Sequence, residues 1–206
     1  MTESPTAARH PGRGRQEIYA DHDDATLVVY QAYPPAIADA ALAAGRFTGP
    51  FKRERMTWIK PSFTWMMYRC GYAAKPGQER VLAIRIRREG FAWALRNACL
   101  SHYDPDRHGG DRAAWRQALR QSPVRVQWDP ERGLRGDPLG HRSIQIGLSG
   151  AAVARYVDEW TTTITDITPF VRDLRALVAA ARLDEARALL PDERPYPAPS
   201  GSGGVC

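Results

Sequence analysis

The sequence predicts an α+β fold with mixed or antiparallel sheets and a C-terminal helical segment. Five short runs rich in β-branched and aromatic residues read as strands. Helical patterns lie between them irregularly, and some connections are polar loops instead. A doubly wound nucleotide fold would alternate strictly. The chain also has no G-x-G-x-x-G after a strand and no G-x-x-x-x-G-K-[ST], so the usual phosphate-cradling loops are missing.

The elements follow in order. ATLVVYQAY, residues 25–33, is a strand. PPAIADAALAAG, 34–45, is a helix opened by proline and closed by glycine. MTWIKPS, 56–62, is a second strand that runs into a short helix, FTWMMYRCGYA, 63–73. RVLAIRIRREGF, 80–91, alternates with period two and reads as a strand. FAWALRNACL, 91–100, reads as a helix, SHYDPDRHGGD as a polar loop and RAAWRQALRQS, 112–122, as an amphipathic helix. PVRVQWDPE, 123–131, and RSIQIGLSG, 142–150, are further strands. Residues 151–190 read as helical with a break near Thr168-Pro169. One domain is expected over 16–190. Residues 1–15 and 191–206 are rich in Pro, Gly and Ser and are expected to be a disordered arm and tail.

The chain has 206 residues, 43% hydrophobic and 25% charged, which suits one globular domain. No apolar run approaches the roughly 18 residues of a membrane span. The N-terminus lacks the apolar stretch of a secretory signal. Three cysteines, Cys70, Cys99 and Cys206, have no metal-like spacing and fit a reduced, cytoplasmic protein. Cys99, His102 and His108 are too sparse for zinc, so no metal is expected. The net charge of +6 and pI of about 9.5 favour anionic partners, nucleic acid or a dinucleotide among them. The sequence leaves the oligomeric state open.

Four stretches could carry chemistry. Tyr30-Gln31-Ala32-Tyr33 ends the first strand just before a helix, where amides and a helix N-terminus favour anions. Trp58 to Ser62 ends the second strand, and the next helix brings Trp65, Tyr68 and Arg69. Ser62 is its candidate cap. Lys60 and Arg69 beside aromatic faces could hold a phosphate while a base or nicotinamide stacks. Arg125, Gln127 and Asp129 alternate onto one strand face, and Glu131 follows Pro130. Gln145, between Ile144 and Ile146, could line the same pocket. Each stretch also has a plain packing explanation. In the second, Met66 and Met67 are core.

WIKPSFTWMMYRCGYA, RVLAIRIRREGF, SPVRVQWDPER and RSIQIGLSG are together identified as marking a member of the domain-of-unknown-function family numbered 4291, which carries no established activity. The element order more distantly resembles the ADP-ribosyltransferase fold. Tyr30-Gln31-Ala32-Tyr33, a helix and then Gly45-Arg46-Phe47 stand where that fold has its Tyr-(His or Arg)-Gly-Thr strand, helix and Gly-(Phe or Leu). Gln31 replaces the His or Arg, Ala32-Tyr33 replaces Gly-Thr, and the late glutamate is displaced beyond a proline.

That resemblance implies an NAD-dependent transferase acting on a nucleic acid, RNA first, or another anionic acceptor. Tyr30, Gln31, Ser62, Tyr68 and Arg69 would bind NAD, with Tyr68 on the nicotinamide and Lys60 and Arg69 on the pyrophosphate. Glu131 or Gln127 would stabilise the developing ribosyl cation, and Lys60 would also serve catalysis. Trp58, Arg125 and Gln145 would contact the acceptor, entering past residues 103–111. Two alternatives stand beside it. One is an NAD-independent RNA ligase or end-processing enzyme with Lys60 as nucleophile or phosphate clamp. The other is a non-catalytic nucleic-acid-binding module.

Overall fold

A computed structural model describes residues 16–197. A three-stranded antiparallel sheet contains β2 (Thr26–Tyr33), β4 (Arg80–Arg87) and β8 (Thr161–Asp166), in the order β2-β4-β8. A four-stranded mixed sheet contains β3 (Thr57–Ile59), β5 (Ala98–Leu100), β6 (Val124–Arg132) and β7 (Pro138–Leu148), in the order β3-β7-β6-β5. Only the edge pair β5–β6 is parallel. A small ribbon pairs β1 (Tyr19–Ala20) with β9 (Arg194–Pro195). The helices are α1 (Pro35–Ala44), α2 (Phe63–Cys70), α3 (Arg88–Arg96), α4 (Arg112–Gln121), α5 (Ala151–Arg155), α6 (Thr168–Ala179) and α7 (Leu183–Ala188). A π-helical turn, Tyr156–Trp160, continues α5.

The two sheets share one core. Leu27 and Val29 of β2 and Leu82, Ile84 and Ile86 of β4 join Ile59, Val126, Ile144 and Ile146 of the mixed sheet. The opposite face of β2 is buried as well. Val28 and Tyr30 pack with Phe63, Met66 and Met67 of α2 and with Val171 and Leu174 of α6. This explains why ATLVVYQAY is apolar at nearly every position: a strand covered on both faces cannot alternate. Gly90 serves close packing. A Cβ there would lie 2.3 Å from the Trp160 ring.

A backbone hydrogen bond also ties the two sheets together. The Tyr30 amide donates to the Lys60 carbonyl at 2.7 Å, in an isolated bridge just beyond β3. That bridge sets the end of β3 beside the end of β2.

Several expectations are corrected. The helix over 91–100 ends at Arg96, and Ala98–Leu100 is strand β5 beside β6. Residues 161–166, read as helix, form β8. Its run of threonines suits a pleated edge better than a helix. Pro130 does not end β6, which runs to Arg132 through an irregular register. The tail expected to be disordered from Pro191 is structured to residue 197: Arg194–Pro195 pairs with β1, and Tyr196 is buried. Residues 1–15 and 198–206 lie outside the described residues.

Candidate functional site

The bridge between the sheets leaves a cavity of about 520 Å³ at the ends of β2 and β3. Its inner wall holds Gln31, Tyr33, Trp58 and Lys60, and Met66 and Arg69 of α2 close one side. Segment 50–56 closes the other with Phe51, Lys52, Arg55 and Met56. The helix that carries Arg69 is fixed locally. Ser62 accepts from the Trp65 amide at 3.2 Å, and Gly71 ends the helix in the left-handed region at φ 60°.

Lys60 is the unusual group. Its residue is 6% exposed, and its ammonium makes no hydrogen bond or ion pair among the described residues. Its Nζ lies over the Trp65 ring, 4.9 Å from the centroid. Burial lowers its pKa to about 8, and the Arg69 charge pushes the same way; Asp129 and Cys70 oppose. A buried charge without a partner is costly, and three more cations, Lys52, Arg55 and Arg69, stand at the cavity rim. Among the described residues, no Asp or Glu lines the cavity. The site therefore has charge to offer an anion and aromatic surface beside it. Its size falls within the range of small-molecule pockets, roughly 300–1,000 Å³.

The structure brings together four of the expected residues here: Gln31, Trp58, Lys60 and Arg69. Gln31 is not free to bind. Its amide nitrogen donates to Thr57 Oγ1 at 2.7 Å and to the Trp58 carbonyl at 2.9 Å. Its oxygen accepts from the Tyr156 hydroxyl at 2.8 Å. It holds β2, β3 and the π-helical turn in place. Arg69 donates to Gln78 at 3.1 Å and is otherwise exposed.

Other expected binders lie elsewhere. Tyr30 points into the second core against Phe63, 5.4 Å between ring centroids, because it is one residue out of phase with Gln31. Ser62 is buried and occupied as the helix cap. Tyr68 is 41% exposed outside the cavity, with Arg132 over its ring at 4.0 Å and Lys75 at 5.6 Å. Met66 and Met67 are buried in the second core, as expected.

Arg125, Gln127 and Gln145 do share a face with Trp58. Trp58 pairs with Gly147, and Gly147 pairs with Arg125. A Cβ on Gly147 would lie 3.0 Å from the Trp58 ring, so the missing side chain lets the indole lie against the sheet. Gln127 and Gln145 are directly paired and both donate to Asp129, at 2.8 and 2.5 Å. This polar patch adjoins the cavity without lining it.

Glu131 is separated from Lys60. The irregular register after Pro130 turns it into a second basin, of about 590 Å³, near α7 and residues 190–193. There it accepts from the Arg132 amide at 2.8 Å and from Thr64 at 3.3 Å. Lys60, Tyr68 and Glu131 thus do not converge. Sequence reading passed over Lys52 and Arg55, although the basic run KRER just before β3 was a visible signal. It had no signal for Tyr156, which is 125 residues from Gln31.

Residues 17–196 match the family described as a domain of unknown function, DUF4291. The chain belongs to that family. No curated protein matches it. The DUF4291 match spans every element from β1 to the paired residues of β9, so both walls of the cavity belong to the family's domain.

Proposed function

We propose that the protein is a nucleotide-dependent transferase. In this reading it holds NAD by its phosphates in the Lys60 cavity and serves a nucleic acid or another anionic acceptor. The observation that carries the reading is Lys60 itself: a residue only 6% exposed whose ammonium, stacked on Trp65, makes no hydrogen bond or ion pair among the described residues, beside a cavity with cations at its rim and, among those residues, no lining Asp or Glu. A pyrophosphate supplies the missing counter-charge, and Lys60 and Arg69 are the groups to bind it. Trp58, packed against the sheet at Gly147, takes the stacking role first expected of Tyr68. NAD would supply a ribosyl group and a departing nicotinamide. The carboxylate with influence on the site is Asp129, held by Gln127 and Gln145 and felt electrostatically by Lys60, in place of Glu131.

A second reading rests on the same lysine. An amine with a pKa near 8 is partly neutral at physiological pH and can attack phosphorus or carbon. That favours an ATP-using enzyme with Lys60 as nucleophile.

Titration of NAD and ATP separately against the thermal midpoint decides between them, with Lys60→Ala and Arg69→Ala in parallel. A ligand bound only by the folded state at about 100 times its Kd stabilises by about 2.7 kcal/mol. The expected result is a rise with NAD that is lost in Lys60→Ala and reduced in Arg69→Ala. A rise with ATP alone, with label on Lys60, moves the assignment to the second reading. No rise with either ligand removes the nucleotide assignment.

A further inference from the structure

Helix α4 carries a charge pattern that the cavity does not use. Arg112, Arg116 and Arg120 recur every fourth residue, so they form one exposed stripe with about 6 Å between successive members along the axis. The helix contains no Asp or Glu. Arg116 and Arg120 make no hydrogen bond or ion pair among the described residues, and Arg112 lies over the Tyr103 ring at 4.5 Å. Two nearby carboxylates are engaged elsewhere: Asp111 accepts from the Ala113 and Ala114 amides, and Asp104 from the Asp106 amide. A further arginine is carried near the C-terminal end of the helix. Ser122 donates to the Asn97 carbonyl at 2.8 Å, which brings exposed Arg96 to the same end.

Folding does not explain this stripe. The helix is anchored on its other side, where the Trp115 indole donates to the Leu100 carbonyl at 3.0 Å. Three arginines in a row with no ion pair among the described residues repel one another, by a few tenths of a kcal/mol per pair. We propose that α4 is the docking surface for a single-stranded nucleic acid, whose backbone phosphates run along Arg112, Arg116 and Arg120 while Tyr103 stands beside them. A membrane surface fits poorly, because the exposed side of α4 has arginine, glutamine and alanine and no large apolar residue to insert. The strand that α4 is pinned to, β5, lies at the opposite edge of the mixed sheet from β3, three strand spacings or about 14 Å away. A bound strand of a few nucleotides covers that distance. Its role as acceptor rests on the transferase reading; the surface itself does not.

The test is binding of a short fluorescent single-stranded RNA by the full chain, followed by anisotropy over about 50–200 mM salt. Arg116→Ala with Arg120→Ala removes two phosphate contacts from a helix that buries no side chain, and alanine favours the helix. The double variant is expected to bind about tenfold more weakly and to lower the slope of log affinity against log salt by about 1.4. Arg172→Ala with Arg175→Ala, exposed on α6, is expected to change neither. Wild-type affinity and slope in the α4 variant would overturn the proposal. So would a wild-type protein that ignores RNA and binds an acidic peptide through the same arginines. The nucleotide-induced thermal shift, measured on the same α4 variant, is expected to persist. RNA binding that depends on α4 in a protein with no nucleotide shift would sink the cavity reading and leave this surface standing.

Discussion

The Lys60 cavity and the Glu131 basin lie on either side of the segment that runs from β3 into α2, and they are nearly equal in size, at about 520 and 590 Å³. Each contains a buried ionisable residue from the end of a strand: Lys60 at 6% exposure and Glu131 at 4%. The two charges are treated differently. Glu131 Oε1 accepts from a backbone amide and a threonine hydroxyl, and its basin holds side chains of both signs. Among the described residues, Lys60 has no hydrogen-bonding partner, and the charged side chains lining its cavity are all cationic. The first arrangement answers its charge with donors from the chain itself. The second leaves a counter-charge to be supplied from outside, which is what a binding site does. Volume alone does not separate the two; unmet electrostatic demand does.

The largest expected effect tests that demand directly. The pKa of Lys60 falls from 10.5 to about 8 on folding, equivalent to about 3 kcal/mol of penalty on the charged form at neutral pH. Between these values the unfolded chain binds more protons than the folded one, so stability rises with pH across that window. Lys60→Met is therefore expected to raise the thermal midpoint at pH 7 in anion-free buffer. The advantage should shrink as pH climbs from about 8 towards 10.5. Parallel melting curves for both proteins at all pH values would erase the contrast between the two regions.

A smaller effect is expected from Gly147→Ala. The new methyl meets the Trp58 ring and the Met56 sulfur at 3.0 Å. Overpacking of this kind costs about 1–3 kcal/mol. It lifts Trp58 off the sheet and weakens the nucleotide-induced shift. An unchanged shift in a folded variant would free Trp58 from the binding role.

The smallest effect belongs to Glu131→Gln. A glutamine oxygen can still accept both bonds, so only their charge assistance is lost, at a cost of about 1 kcal/mol. The nucleotide-induced shift should match that of the wild type. A lost shift would restore Glu131 to the site and join the two basins functionally.

Much of the local organisation was legible. KPSFTWMMYRCG shows its cap, its helix and its glycine stop in order, because capping and left-handed termination are local events. Lys60 and Arg69 were legible as a pair for the same reason: one turn and one helix separate them. Glu131 was misplaced because β6 continues through Pro130 and loses its regular register, which alternation along the strand does not reveal. Gln31 was misread because its partners, Thr57 and Tyr156, come from distant segments.

By itself the sequence determined the α+β class, the strand and helix around Lys60, the family and the basic balance. These follow from short-range periodicity, capping and composition. Only the tertiary structure decided which charges are answered. The Tyr30–Lys60 bridge holds the lysine where, among the described residues, no hydrogen bond or ion pair answers its charge. Burial and partnership depend on contacts between segments far apart in the chain, and no local pattern encodes them.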